Sequence, residues 1–181
     1  MDHTSTPNAT TGMTDADMRD LWAYLRTLPA NAQPSRKHDV GFPYNIRFAV
    51  TFWKWLFFTP GPFTPDPKAT PAVNRGAYLT TALGHCGECH SPRDQFGGLD
   101  RTGWLGGAPD PEGKGRIPNI TPGKLAWSAA EIADYLKTGF TPDYDSVGGT
   151  MVEVQANMAE LSDSDRAAIA AYLKAVPTVK P

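Results

Sequence analysis

Cysteine is nearly absent from this chain of 181 residues: there are two, Cys86 and Cys89, within one five-residue run. A structural zinc site mostly adds a second thiol or imidazole pair at similar spacing, and no such pair is present. The residues before Cys86 lack a β-branched strand run, so the strand-to-helix setting of a thioredoxin-like redox motif is missing as well. Long hydrophobic runs are also lacking. The longest, residues 46–58, is broken by Arg47 and Lys54, and no stretch reaches the roughly 18 apolar residues of a membrane-spanning helix. Charge of one sign is scarce too: a formal net charge of −2 gives no strong bias toward nucleic acid. Finally, Met1-Asp2-His3-Thr4-Ser5-Thr6-Pro7 has neither the basic nor the apolar region of a secretion signal.

What is there centres on Cys86-Gly87-Glu88-Cys89-His90. Two thiols three positions apart can each add to one vinyl group of the same porphyrin, and the adjacent imidazole then lies under the iron. The spacing therefore predicts thioether attachment at Cys86 and Cys89 and makes His90 the proximal axial ligand, with His85 a bystander. A zinc site completed by His3, His38 or His85 is the competing reading of the same residues. The sixth ligand is sought among Met1, Met13, Met18, Met151 and Met158. Met151 is preferred, because Gly148-Gly149-Thr150 offers a flexible approach to a porphyrin face and the 61 residues after His90 leave room to wrap it. Met158 is the rival. His/Met ligation suits one-electron transfer at a raised potential.

Gly and Pro, 17 each, imply a loop-rich fold, and 40% hydrophobic residues still supply a core. The helix signals are regular. Thr14-x-x-Asp17, Ser128-x-x-Glu131 and Ser162-x-x-Asp165 each read as a capping box before a helical run. After Ser162, a stripe of Ile169, Tyr172, Leu173 and Val176 is stopped by Pro177. Residues 72–83 predict a helix with Tyr78, Leu79, Ala82 and Leu83 inward and Gly84 as its stop.

An internal repeat organises the chain. Residues 13–29 align on 161–177 at an offset of 148, with six identities: Asp15/Asp163, Asp17/Asp165, Ala23/Ala171, Tyr24/Tyr172, Leu25/Leu173 and Pro29/Pro177. The first copy reads as the closing helix of an earlier domain, yet no cysteine precedes residue 86. The expectation is a fragment, or a misplaced start, of a longer exported multihaem protein, since covalent haem attachment normally takes place outside the cytoplasm. The expected division is 1–36 as the remnant of an upstream cytochrome domain, 37–70 as a connector, and 71–181 as a cytochrome c domain. Within the connector, the aromatic stretch 48–58 predicts a helix packed across two domains or one that docks on a partner subunit or the membrane interface.

Several segments together resemble the multihaem cytochrome c subunit of membrane-associated bacterial dehydrogenases of the alcohol, aldehyde and gluconate type. They are Gly41-Phe42-Pro43-Tyr44-Asn45-Ile46-Arg47, Asn74-Arg75-Gly76-Ala77-Tyr78-Leu79, the haem motif continued through Ser91-Pro92-Arg93, Pro118-Asn119-Ile120-Thr121-Pro122 and Leu161-Ser162-Asp163. The resemblance implies an all-α, class I cytochrome c domain with one haem c on Cys86 and Cys89 and iron ligation by His90 and Met151. It also implies Arg93 and the 118–121 turn near the haem. Expected partners are a catalytic dehydrogenase subunit, upstream haem domains and a quinone or oxidase acceptor, at a periplasmic location with membrane association as a further expectation. The expected role is electron transfer without substrate catalysis. A haem-based sensor, or a small zinc-binding domain, would be the alternative.

Overall fold

The structure, a computed structural model, describes residues 11–111 and 115–180. The chain divides into two units, Met1–Phe63 and Thr64–Pro181. In the first, helix α1 (Asp15–Leu25) starts at Thr14, whose hydroxyl accepts from the Asp17 N–H at 3.1 Å and donates to the Asp17 carboxylate at 2.8 Å. The side chain thus satisfies one orphan donor of the first turn, and the Asp17 carboxylate accepts from the same hydroxyl. Leu21, Tyr24, Leu25 and Leu28, the apolar stripe of α1, are all exposed. Helix α2 (Arg47–Phe57) likewise buries no residue. The unit closes on itself where Phe63 N–H donates to the Gly12 carbonyl and Gly61 N–H to the Thr11 hydroxyl.

Among the described residues the regular elements of the second unit are helices joined by long loops, with one minimal antiparallel pair, β1 (Ala108–Pro109) and β2 (Arg116–Ile117). Helix α3 (Pro71–Tyr78) opens with Thr70 capping Val73 N–H and proline in the first turn, where its missing N–H costs nothing. It runs into a π-turn, Leu79–Leu83, then the short α4 (Cys86–His90), a 3-10 turn (Arg101–Gly103), α5 (Ala129–Thr138), α6 (Met151–Ala159) and α7 (Asp163–Ala175). The core joins Leu79, Leu105, Ile132, Leu136, Ile169, Ala170, Leu173 and Val176. Three of the four expected α7 stripe residues are in it, and Tyr172 packs half-buried at its edge.

Three local details set the geometry. Ser128 and Glu131 form the full reciprocal capping box, and Asp165, whose N–H donates to the Ser162 hydroxyl, also clamps Arg75 of α3 through two bonds of 2.8 and 3.0 Å. Gly76 lets α3 cross α7 closely: a Cβ there would lie 1.9 Å from the Ala168 carbonyl oxygen. The expected glycine stop takes a different form. Gly84 keeps a right-handed conformation and closes the π-turn by donating to the Leu79 carbonyl, and the left-handed residue is His85, with φ 51°. The extra residue of a π-turn rotates the chain before the motif begins, a device often found beside functional sites.

Candidate functional site

The left-handed turn at His85 starts α4, which carries Cys86, Cys89 and His90 on five consecutive residues. Both cysteines are free thiols, Cys86 half-buried and Cys89 exposed. Burial is the main cause that pushes Cys86 up to about 11, and burial followed by the Glu88 carboxylate raises Cys89.

His90 Nδ1 sits 2.8 Å from the Pro118 carbonyl oxygen. A carbonyl only accepts, so Nδ1 carries the proton and Nε2 keeps its lone pair. Burial holds the imidazole below its usual value, only partly countered by the same carbonyl, which keeps the ring neutral. The His90 carbonyl accepts from Gly107 N–H at 2.7 Å, fixing the backbone as well as the ring. The Pro118 turn is itself anchored. Asn119 Oδ1 accepts from the Thr121 N–H and hydroxyl, Asn119 Nδ2 donates to the Val179 carbonyl at 2.9 Å, and Val179 N–H donates to the fully buried Thr121 hydroxyl at 3.1 Å.

Other residues shape the motif without having been marked by its spacing. Trp104 lies so close that a Cβ at Gly87 would be 2.2 Å from its ring, and its indole N–H donates to Tyr172 Oη at 3.0 Å. Ser91, buried, accepts from Leu105 N–H at 2.9 Å. Arg93 pairs with Glu88 of the motif and donates to the Gly97 carbonyl at 2.9 Å. No local periodicity distinguishes Trp104 or Ser91; each matters through a partner distant in sequence.

Met151 opens α6 and Met158 follows seven residues later, so the two share one helix face. Both are half-buried against the core cluster, as is Cys86. The residues present fit a haem group. The donors are two thiols and one neutral imidazole whose outer nitrogen is already oriented, the arrangement that tunes metal-ligating histidines. Beside them, His85 Nδ1 is buried with no hydrogen-bond partner among the described residues. No group of three or more His, Cys, Asp or Glu able to hold a metal ion occurs among the described residues.

Residues 71–173 match the family described as cytochrome c oxidase, cbb3-type, subunit III. The chain is similar to a diheme cytochrome c-type protein of Cereibacter sphaeroides, at 51% identity over 91% of this chain and 55% of the relative. It is also similar to the fructose dehydrogenase cytochrome subunit of Gluconobacter japonicus, at 37% identity over 91% of this chain and 35% of the relative. A third relative is the cytochrome c subunit of the alcohol dehydrogenase (quinone) of Gluconacetobacter polyoxogenes, at 37% identity over 93% and 38%. The chain spans about half the length of the first of these and little more than a third of the other two.

Proposed function

Because the chain belongs to the cbb3-type cytochrome c oxidase subunit III family, we propose that residues 71–181 form a one-haem electron-transfer domain. Cys86 and Cys89 hold the haem covalently, and His90 Nε2 and the Met151 sulfur ligate its iron. Haem c, when bound, supplies a one-electron ferric/ferrous couple. The chain's own residues do the rest. Pro118 and Gly107 fix the imidazole and its backbone, Trp104 and the Glu88–Arg93 pair hold α4 in place, and α7 and α5 back the site with apolar surface. The observation that carries this reading is the His90–Pro118 bond, which leaves Nε2 as the free donor beside two thiols. No observation favours the sensor or the zinc alternative.

The rest of the assembly follows the relatives. Two of them are named as cytochrome subunits of dehydrogenases, one of these quinone-dependent. For this chain we take a catalytic dehydrogenase subunit as electron donor and a quinone or terminal oxidase as acceptor, at the periplasmic face and in association with the membrane. Among the described residues no helix is long and apolar enough to cross a membrane. Helix α1 begins at the position that aligns with the first residue of α7, and both caps accept at 3.1 Å. We read α1 as the closing helix of a preceding cytochrome domain and residues 37–70 as the connector.

The test is to export the chain in a host with haem-attachment machinery, then record reduced-minus-oxidised spectra and stain a denaturing gel for haem. A low-spin c-type spectrum with haem retained on the gel is expected. Cys86→Ala together with Cys89→Ala should remove the stain. Met151→Ala should lower the reduction potential and admit carbon monoxide, with Met158→Ala close to the parent. The reverse result for the two methionines would transfer the ligand to Met158, and a colourless folded protein would overturn the proposal.

A further inference from the structure

Helix α2 carries a surface that the electron-transfer chemistry does not use. Its polar residues Arg47, Thr51 and Lys54 fall at i, i+4 and i+7 and so share one narrow stripe. Every other position of the helix is apolar, and much of that surface is open: Phe48 is 84% exposed, Trp55 76%, Phe52 58% and Leu56 53%. The helix is ordered along its own length. Trp53 and Phe57 rings lie 5.1 Å apart, Phe52 and Trp55 6.0 Å apart, and the Thr51 hydroxyl donates back to the Arg47 carbonyl at 3.1 Å. The Lys54 ammonium lies 5.3 Å from the centroid of the Phe58 ring, so its stem runs along apolar surface while the charge stays at the edge.

Charge identifies the occupant. The helix contains no acid, and residues 36–58 hold Arg36, Lys37, Arg47 and Lys54 against Asp39, a local net charge of +3 in a chain whose total is −2. A broad aromatic face bordered by a thin cationic stripe matches the boundary of an anionic bilayer, where rings enter the acyl edge and cations meet headgroups. At 11 residues the helix is about 16 Å long, half of the roughly 30 Å hydrocarbon core, so it lies in the interface and does not span it. We propose that α2 is an interfacial helix that seats this chain on an anionic lipid surface through Phe48, Phe52, Trp55 and Leu56, with Arg47 and Lys54 on the headgroups. This names the element behind the membrane association proposed above and is independent of the haem.

The full chain is sedimented with vesicles of phosphatidylcholine alone and of phosphatidylcholine with phosphatidylglycerol at about 2:1. Bound protein is read on a denaturing gel, so failure of the haem reading would not alter the result. The chain is expected to pellet with the mixed vesicles. Phe48→Ser, Phe52→Ser and Trp55→Ser combined should reduce partitioning about tenfold or more without altering the circular dichroism, since all three side chains are exposed. Arg47→Gln with Lys54→Gln should remove most of the preference for the anionic vesicles. A folded chain that stays in the supernatant with both compositions overturns the proposal. So does a triple variant that binds like the parent. Self-association of the lipid-free chain, or capture of a dehydrogenase subunit, that the triple variant abolishes while vesicles bind nothing would assign the face to protein instead.

Discussion

A single methyl group tests how tightly the motif helix is held. At Gly87 an added Cβ would sit 2.2 Å from the Trp104 ring, and that ring is pinned by its bond to Tyr172. Gly87→Ala should therefore destabilise the second unit by about 1–3 kcal/mol, the usual cost of forced overpacking. Trp104→Leu introduced beside it should recover part of the loss, because the two sites are in contact and their effects do not add. Guanidinium unfolding of the four members of that cycle checks both statements, and an additive result would mean that Trp104 does not press on α4. At this scale the sequence was most legible where chemistry demands fixed spacing. Cys86, Cys89 and His90 stand out because two vinyl groups and one iron dictate their positions. Trp104 was hidden because its role depends on Tyr172, which no local pattern connects to it; Ser91 and Thr121 stood in the segments that carry the family resemblance, but their partners Leu105 and Val179 did not.

Among the elements, the pairing of α3 with α7 rests on Gly76 at the crossing and on the Arg75–Asp165 clamp beside it. The Arg75 guanidinium holds the Asp165 carboxyl below the usual carboxylate range. A depressed carboxylate contributes stability above its unfolded value of about 3.9 and loses it as pH falls through the lower folded value. Asp165→Asn should accordingly cost about 0.5–1 kcal/mol at pH 7, a modest figure because Arg75 is 46% exposed. The difference from the parent should shrink steadily below about pH 4. Urea melts at several pH values measure it, and a difference that stays constant into acid would show that the pair contributes nothing through its charge. The caps that begin α1, α5 and α7 were readable because Ser and Thr act on the N–H three residues on, a purely local bond. The π-turn at Leu79–Leu83 and the left-handed His85 were not. Nothing local asks for a five-residue step there, and the sequence offers Gly84 as the easier left-handed residue.

For the molecule as a whole, the all-α cytochrome c domain was legible and its boundary was less so. Helical periodicity and capping are repeated along the chain, whereas the two units part at Phe63 and Thr64, inside a proline-rich stretch with no periodic signal. Every residue of the core cluster lies between Leu79 and Val176, and the family match covers 71–173. Residues 64–181 produced alone should therefore fold, retain haem and show the spectrum of the full chain. The C-terminal tail matters beyond the matched segment. Val179 bonds to both Asn119 and Thr121, and these hold the turn whose Pro118 carbonyl orients His90. Ending the chain at residue 177 removes two hydrogen bonds from that turn and leaves the buried Thr121 hydroxyl with fewer partners, at an expected cost of about 1–3 kcal/mol. Thermal melts of the 64–181 and 64–177 chains, with their absorption spectra, separate the two effects. Loss of stability with an unchanged spectrum would make the tail a brace for the turn. A shift in reduction potential as well would mean that the brace reaches the imidazole. Identical melts would show that the Pro118 turn holds His90 without the tail.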